Sequence, residues 1–144
     1  MNDDQSPAFV DTNVLVYAFD RIVSPKKAAA GHLLDELMAA GRLRVSTQVL
    51  QELFVTLTRK VNRTCLSEQA LAVLDDLAAW PLAVVDYAAI RSAIHLTAQA
   101  QLFFWDALIV VSAARAGASL LYTEVLNDRQ EILGVRILNP FKHL

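Results

Sequence analysis

Three carboxylates stand far apart in this chain, each beside an apolar run: Asp11 in FVDTNVLVYAFD, Glu52 in STQVLQELFVTLTRK and Asp106 in FFWDALIVVSAARAG. If a fold brings them to one pocket without basic partners, their repulsion must be relieved by protons or by a cation. Oxygen-only ligands favour Mg2+ or Mn2+ over zinc. Such an ion activates water and neutralises charge on a displaced phosphate, so phosphodiester hydrolysis is the reaction class these residues point to. Each acid also has a plainer reading. Asp11 and Asp106 can cap helices, and Glu52 can be a solvated residue favoured near a helix N-terminus by the macrodipole.

The elements that must position them follow from the pattern. Ala8 to Val10 reads as a buried strand ending at Asp11, with a helix through Asn13 to Phe19 behind it. Ser24-Pro25 opens a second helix that Gly41 closes, and Leu43 to Val45 is a second strand. Ser46 or Thr47 caps a helix with Val49, Leu50, Leu53, Phe54 and Leu57 on its apolar face and Glu52 on the flank. Ser67 reads as the cap of a helix along Leu71, Leu74 and Leu77, broken at Ala79-Trp80-Pro81. A third strand spans Leu82 to Val85, and Asp86 caps a helix fading near Gln101. The most apolar helix, Trp105 to Ala116, is closed by Gly117, and Leu120 to Tyr122 and Val135 to Leu138 are the last strands. Alternation of strands and helices without hairpin signals predicts an α/β fold, a mostly parallel sheet covered on both faces. Sites in such sheets form beyond the strands' carboxyl ends. Asp11 and the segment from Thr123 to Asp128 follow strands, and Glu52 and Asp106 are expected in the first turns of helices.

Composition narrows the classes. At 144 residues and 55% hydrophobic, the chain fits a single domain, residues 1–144, burying roughly 68–70% of its unfolded surface. The lone Cys65 excludes an internal disulfide, and the cytosol is the expected compartment. Despite a mean hydropathy of +0.36, charges interrupt every apolar run before the ~20 residues a bilayer span needs. The acidic, polar start is unlike a signal peptide. A net charge of −2 gives no overall attraction to nucleic acid, so any such partner must meet a local patch, for which Lys26 with Lys27, or Arg59, Lys60 and Arg63, are candidates. Arg59 falls within about 20° of Glu52 around a helix axis. His32, His95 and His143 share no metal-ligand spacing, and Ser112 lacks recognisable nucleophile partners.

Together FVDTNVLVYAFD, QELFVTLTRK, FWDALIVVSAARAGASLLYTEVLND and the terminal GVRILNPF resemble a PIN domain over essentially the whole chain. The chain looks most like the VapC-type toxins of bacterial toxin-antitoxin pairs. The resemblance implies an α/β/α sandwich with a sheet of four to five strands and an endoribonuclease dependent on Mg2+ or Mn2+. It also implies a homodimer, a tRNA, rRNA or mRNA substrate, and a cognate antitoxin whose tail enters the groove. By matching position it assigns metal-binding and catalytic roles to Asp11, Glu52 and Asp106, with Asn13 and Thr123 in support. Relatives often read Thr-Glu-Asp-Leu at the fourth motif, where this chain has Thr123-Glu124-Val125-Leu126. Valine cannot ligate a metal, so Glu124 or Asp128 supplies the charge, or the site works with three acids.

Two other classes compete. A non-catalytic PIN-like RNA- or protein-binding module is suggested by Val125. A phosphoacceptor receiver domain needs an acidic pair after the first strand and a lysine after a late one, and both are missing. No GxGxxG follows the first strand, which disfavours a dinucleotide enzyme.

Overall fold

A computed structural model describes residues 5–59 and 65–144. Six strands form one sheet in the order β3-β2-β1-β4-β6-β5. They are β1 (Ala8–Val10), β2 (Leu43–Ser46), β3 (Leu82–Ala83), β4 (Leu120–Tyr122), β5 (Glu131–Ile132) and β6 (Val135–Leu138). Every pairing is parallel except β5 with β6. All three residues of β1 are buried, as a strand covered on both faces requires. In register, Ala8 lies between Leu43 and Leu120.

The flanking helices are α1 (Thr12–Ala18), α2 (Pro25–Ala39), α3 (Thr47–Leu57), α4 (Ser67–Ala78), α5 (Tyr87–Ala100) and α6 (Phe104–Arg115). Helices α2, α1, α3 and α4 pack in succession, while α5 packs on α6, which touches β2, β3, β4 and β6. Because α6 is enclosed, Ala107 to Ala113 are all buried, which explains its lack of a polar face. In α3 the buried residues Val49, Leu53 and Leu57 face the core, leaving Gln51, Glu52 and Val55 outward.

The expected caps are local and form as read. Ser24 Oγ accepts from Lys27 N, Ser46 Oγ from Val49 N, and Asp86 Oδ1 from Ala89 N. Gly41 and Gly117 sit at φ +70° and +73° and end α2 and α6. At each, the following N–H reaches back a full turn, Arg42 to the Leu37 carbonyl and Ala118 to that of Ala113.

Three expectations fail. The cap of α4 is Leu66, whose N–H is taken by the Gln69 side chain at 2.8 Å, so Ser67 is the first helical residue and not the cap. The sheet has six strands rather than four to five, and it does contain a hairpin. Leu133 and Gly134 both adopt positive φ, 53° and 76°, forming a two-residue turn that folds β5 back on β6. Among the described residues, no single helix is long and apolar enough to cross a membrane.

Candidate active site

Strands β1 and β4 are neighbours, but the chain leaves β1 toward β2 on one side and returns through β4 on the other. The carboxyl ends of this pair therefore mark the point where strand order reverses, the usual crevice of such sheets. Asp11 directly follows β1, and its N–H donates to the Tyr122 carbonyl at the end of β4 at 3.0 Å. Its carboxylate is buried and held on three sides. Oδ1 accepts from the Thr12 N–H at 2.7 Å, and Oδ2 accepts from Asn13 Nδ2 at 2.9 Å and Thr123 Oγ1 at 3.0 Å. Asn13 Oδ1 in turn accepts the Glu124 N–H at 3.0 Å. Asn13 and Thr123 thus fasten the two strand ends together around Asp11.

Glu52 from α3 and Asp106 from α6 line a cleft of about 430 Å³ with Asp11. Glu52 is the sixth residue of α3 and lies in its second turn, not the first as expected. The macrodipole, which fades within the first turn, does not account for it. Asp106 is in the first turn of α6, yet the cap is Phe103, so Asp106 has no capping task. Asp11 both caps α1 and lines the cleft.

None of the three acids belongs to an ion pair among the described residues. Burial, with a smaller push from the Glu52 charge, raises the Asp11 carboxyl to about 6 against the hydrogen bonds that favour its ionised form. Glu52 is raised chiefly by burial, opposed by a hydrogen bond from Gln48 and assisted by the charge of Asp106. Burial alone raises Asp106. No Lys, Arg or His is among the described residues that line the cleft.

The fourth motif divides. Glu124 lines the cleft, but its Oε2 is paired with Lys26 Nζ at 3.0 Å. That ammonium also sits 5.0 Å from the Tyr17 ring centroid and 5.4 Å from that of Phe141. Val125 stands on the cleft wall, 58% exposed. Asp128 is not among the residues lining the cleft. It accepts from Asn139 N at 2.7 Å and Lys142 Nζ at 3.0 Å, which hold its carboxyl below the ordinary range. It fastens the segment after β6, where a sequence distance of 11 residues hides the partner.

Arg59 lines an adjoining hollow with Glu52 rather than the acid cleft itself. Lys60 and Arg63 lie outside the described residues. Lys27 donates to the Ala18 carbonyl at 3.2 Å. His32, His95 and His143 are exposed and do not line the cleft, and Ser112 Oγ donates to the Leu108 carbonyl at 2.8 Å. Gln48, Thr12 and Trp105 line the cleft without having been singled out in the sequence. Gln48 lies one helical turn before Glu52, and Thr12 and Trp105 each adjoin a site acid, which are the signals available for them.

Among the described residues no three His, Cys, Asp or Glu side chains stand close enough to enclose an ion as they are placed. The donor set nevertheless suits a hard divalent cation. Asp11, Glu52 and Asp106 are oxygen ligands without cationic partners among the described residues. Among the described residues, the two buried side-chain oxygens left without a hydrogen bond, Thr12 Oγ1 and Gln48 Oε1, both belong to this cleft.

Comparison with known proteins agrees with this architecture. The family model described as PIN domain matches residues 8–129. The solved structure of Mycobacterium tuberculosis VapC20, described as a sarcin-ricin loop cleaving toxin, superposes with a TM-score of 0.60 at 19% identity, covering 79% of this chain and 86% of that one. No curated protein matches.

Proposed function

This chain belongs to the PIN-domain family, and on that premise we propose that it is a metal-dependent endoribonuclease, the toxin of a VapBC-type toxin-antitoxin pair. The observation that supports this most is the cleft at the β1/β4 switch point, where three acids share one wall system and none has a cationic partner among the described residues.

Asp11, Glu52 and Asp106 would hold a Mg2+ or Mn2+ ion, which when bound supplies charge neutralisation at the phosphate and a more acidic water. The chain's own residues prepare the site. Thr12, Asn13 and Thr123 fix the Asp11 carboxylate with its acceptor lone pairs committed in known directions. Gln48 steadies Glu52 and donates to the Trp105 carbonyl at 3.4 Å, linking α3 to the residue before Asp106. Glu124 reaches the cleft but its charge is paired with Lys26, so the reading is of a site built on three acids, with Glu124 nearer than Asp128 to the role of a fourth. The reaction is hydrolysis, in which water cleaves one phosphodiester P–O bond to leave a phosphomonoester and a free hydroxyl.

In this reading the substrate is tRNA, rRNA or mRNA. The VapC20 likeness makes ribosomal RNA the first to test. A cognate antitoxin and a homodimeric, cytoplasmic state complete the proposal. Wild type and Asp106→Asn, matched for folding by circular dichroism, would be incubated with tRNA and rRNA with and without Mn2+. Cleavage by wild type in Mn2+ alone is expected, and cleavage retained by Asp106→Asn would remove the assignment. Val125 on the cleft wall favours one second reading, a non-catalytic RNA- or protein-binding module. Absence of Mg2+ or Mn2+ binding at millimolar concentration in calorimetry would select it.

A further inference from the structure

We propose that the hollow beside the acid cleft is a nucleobase subsite, in which a base next to the cut stacks on Trp105 while Arg59 meets the neighbouring phosphate. This rests on the reading of the chain as a nuclease.

A second hollow of about 410 Å³ adjoins the cleft, and both are bounded by Gln48, Glu52, Thr56 and Trp105. That volume lies within the usual range of small-ligand sites, ~300–1,000 Å³. Its floor is α3, where Gln48, Glu52, Val55 and Thr56 recur at three- and four-residue spacing, and Arg59 follows two residues beyond the end of the helix. From Glu52 to the helix end at Leu57 this floor runs about 7 Å, with the Glu52 carboxylate at one end and the Arg59 guanidinium just past the other.

Trp105 forms the wall between the two spaces. It is 65% exposed, an unusual state for the largest apolar side chain. Its ring is held edge-on by Phe104, with centroids 5.0 Å apart and planes at 75°. An aromatic face fixed in orientation and left open to solvent is the form of a stacking platform, which every base can use. Because Trp105 precedes Asp106, whatever stacks on it lies beside the phosphate the acids would address. A base flanked by two phosphates matches this order of carboxylate cleft, aromatic wall and arginine.

The test compares two labelled strands in chelator, so that nothing is cut: oligoadenylate, and the same ribose-phosphate backbone with every base removed. Fluorescence anisotropy at fixed salt reads both affinities. Trp105→Ala should weaken oligoadenylate roughly 5- to 100-fold and leave the abasic strand unchanged. Trp105→Phe should retain most of the binding, and Arg59→Ala should weaken both strands by the same factor. Equal losses on both strands for Trp105→Ala, or no loss on either, overturn the subsite and return the wall to packing or protein docking. Wild type that binds neither strand overturns it too. Protein that binds through Trp105 but cleaves nothing in Mn2+ keeps the subsite and removes the nuclease reading instead.

Discussion

Replacing Asp11 by Asn should flatten the pH dependence of stability in the metal-free protein. The folded-state pKa of Asp11 is about 6, above its ordinary 3.8. A carboxyl raised in this way stabilises the fold fully below pH 3.8, and that stabilisation is lost as the pH climbs through 6. At ~1.4 kcal/mol per unit the whole effect is about 3 kcal/mol, of which about half, near 1.4 kcal/mol, falls between pH 5 and 8. In that window the carboxylates shifted the other way are silent. Asp86 is held well below the ordinary range by Arg115, and Asp128 below it by the Asn139 N–H and Lys142, so what they add is complete once the pH passes their unfolded value. Glu52 and Asp106 are raised and slope in the same sense as Asp11, so the difference between wild type and Asp11→Asn reads Asp11 together with the smaller change it makes in Glu52 through their mutual repulsion. Urea denaturation in chelator at pH 5, 6.5 and 8 measures it. Parallel curves for the two proteins would refute the account of Asp11. Mg2+ added at pH 8 should then stabilise wild type far more than the variant, because only the ionised carboxylate gains from the cation.

Two further substitutions address neighbouring features. Lys26→Met removes the positive charge paired with Glu124 at the cleft rim, so Mn2+ affinity in calorimetry should rise severalfold, and unchanged affinity would mean that Lys26 does not act on the site. Gly117→Ala should cost about 1–2 kcal/mol in urea denaturation, because φ is +73° there while the space around a new Cβ is open. A loss under about 0.5 kcal/mol would show that the helix end relaxes.

Much of the fold was legible because its punctuation is local. Ser24, Ser46 and Asp86 cap helices through atoms three residues away, and Gly41 and Gly117 end helices by their own backbone freedom. Ser67 misled because the cap of α4 is made by a side chain inside the helix, Gln69, acting on a leucine that carries no capping group. The β5–β6 hairpin was missed because Leu133 takes a left-handed conformation more often filled by Asn or Gly, which left Gly134 as a lone hint. At the site, Asp11, Glu52 and Asp106 could be nominated from their settings. The pairing of Lys26 with Glu124, 98 residues away, and of Asp128 with Lys142 are products of tertiary folding that no spacing announces. For the same reason the sequence could not choose between Glu124 and Asp128.

The sheet ends on both sides in strands of only two residues, β3 at one rim and β5 at the other. A rim that short offers few free backbone groups to a passing chain, and β5 further places the charged Glu131 on it. The sheet is thus poorly suited to growth by edge-to-edge addition. A protein built this way can accumulate at high local concentration with little tendency to polymerise through its sheet.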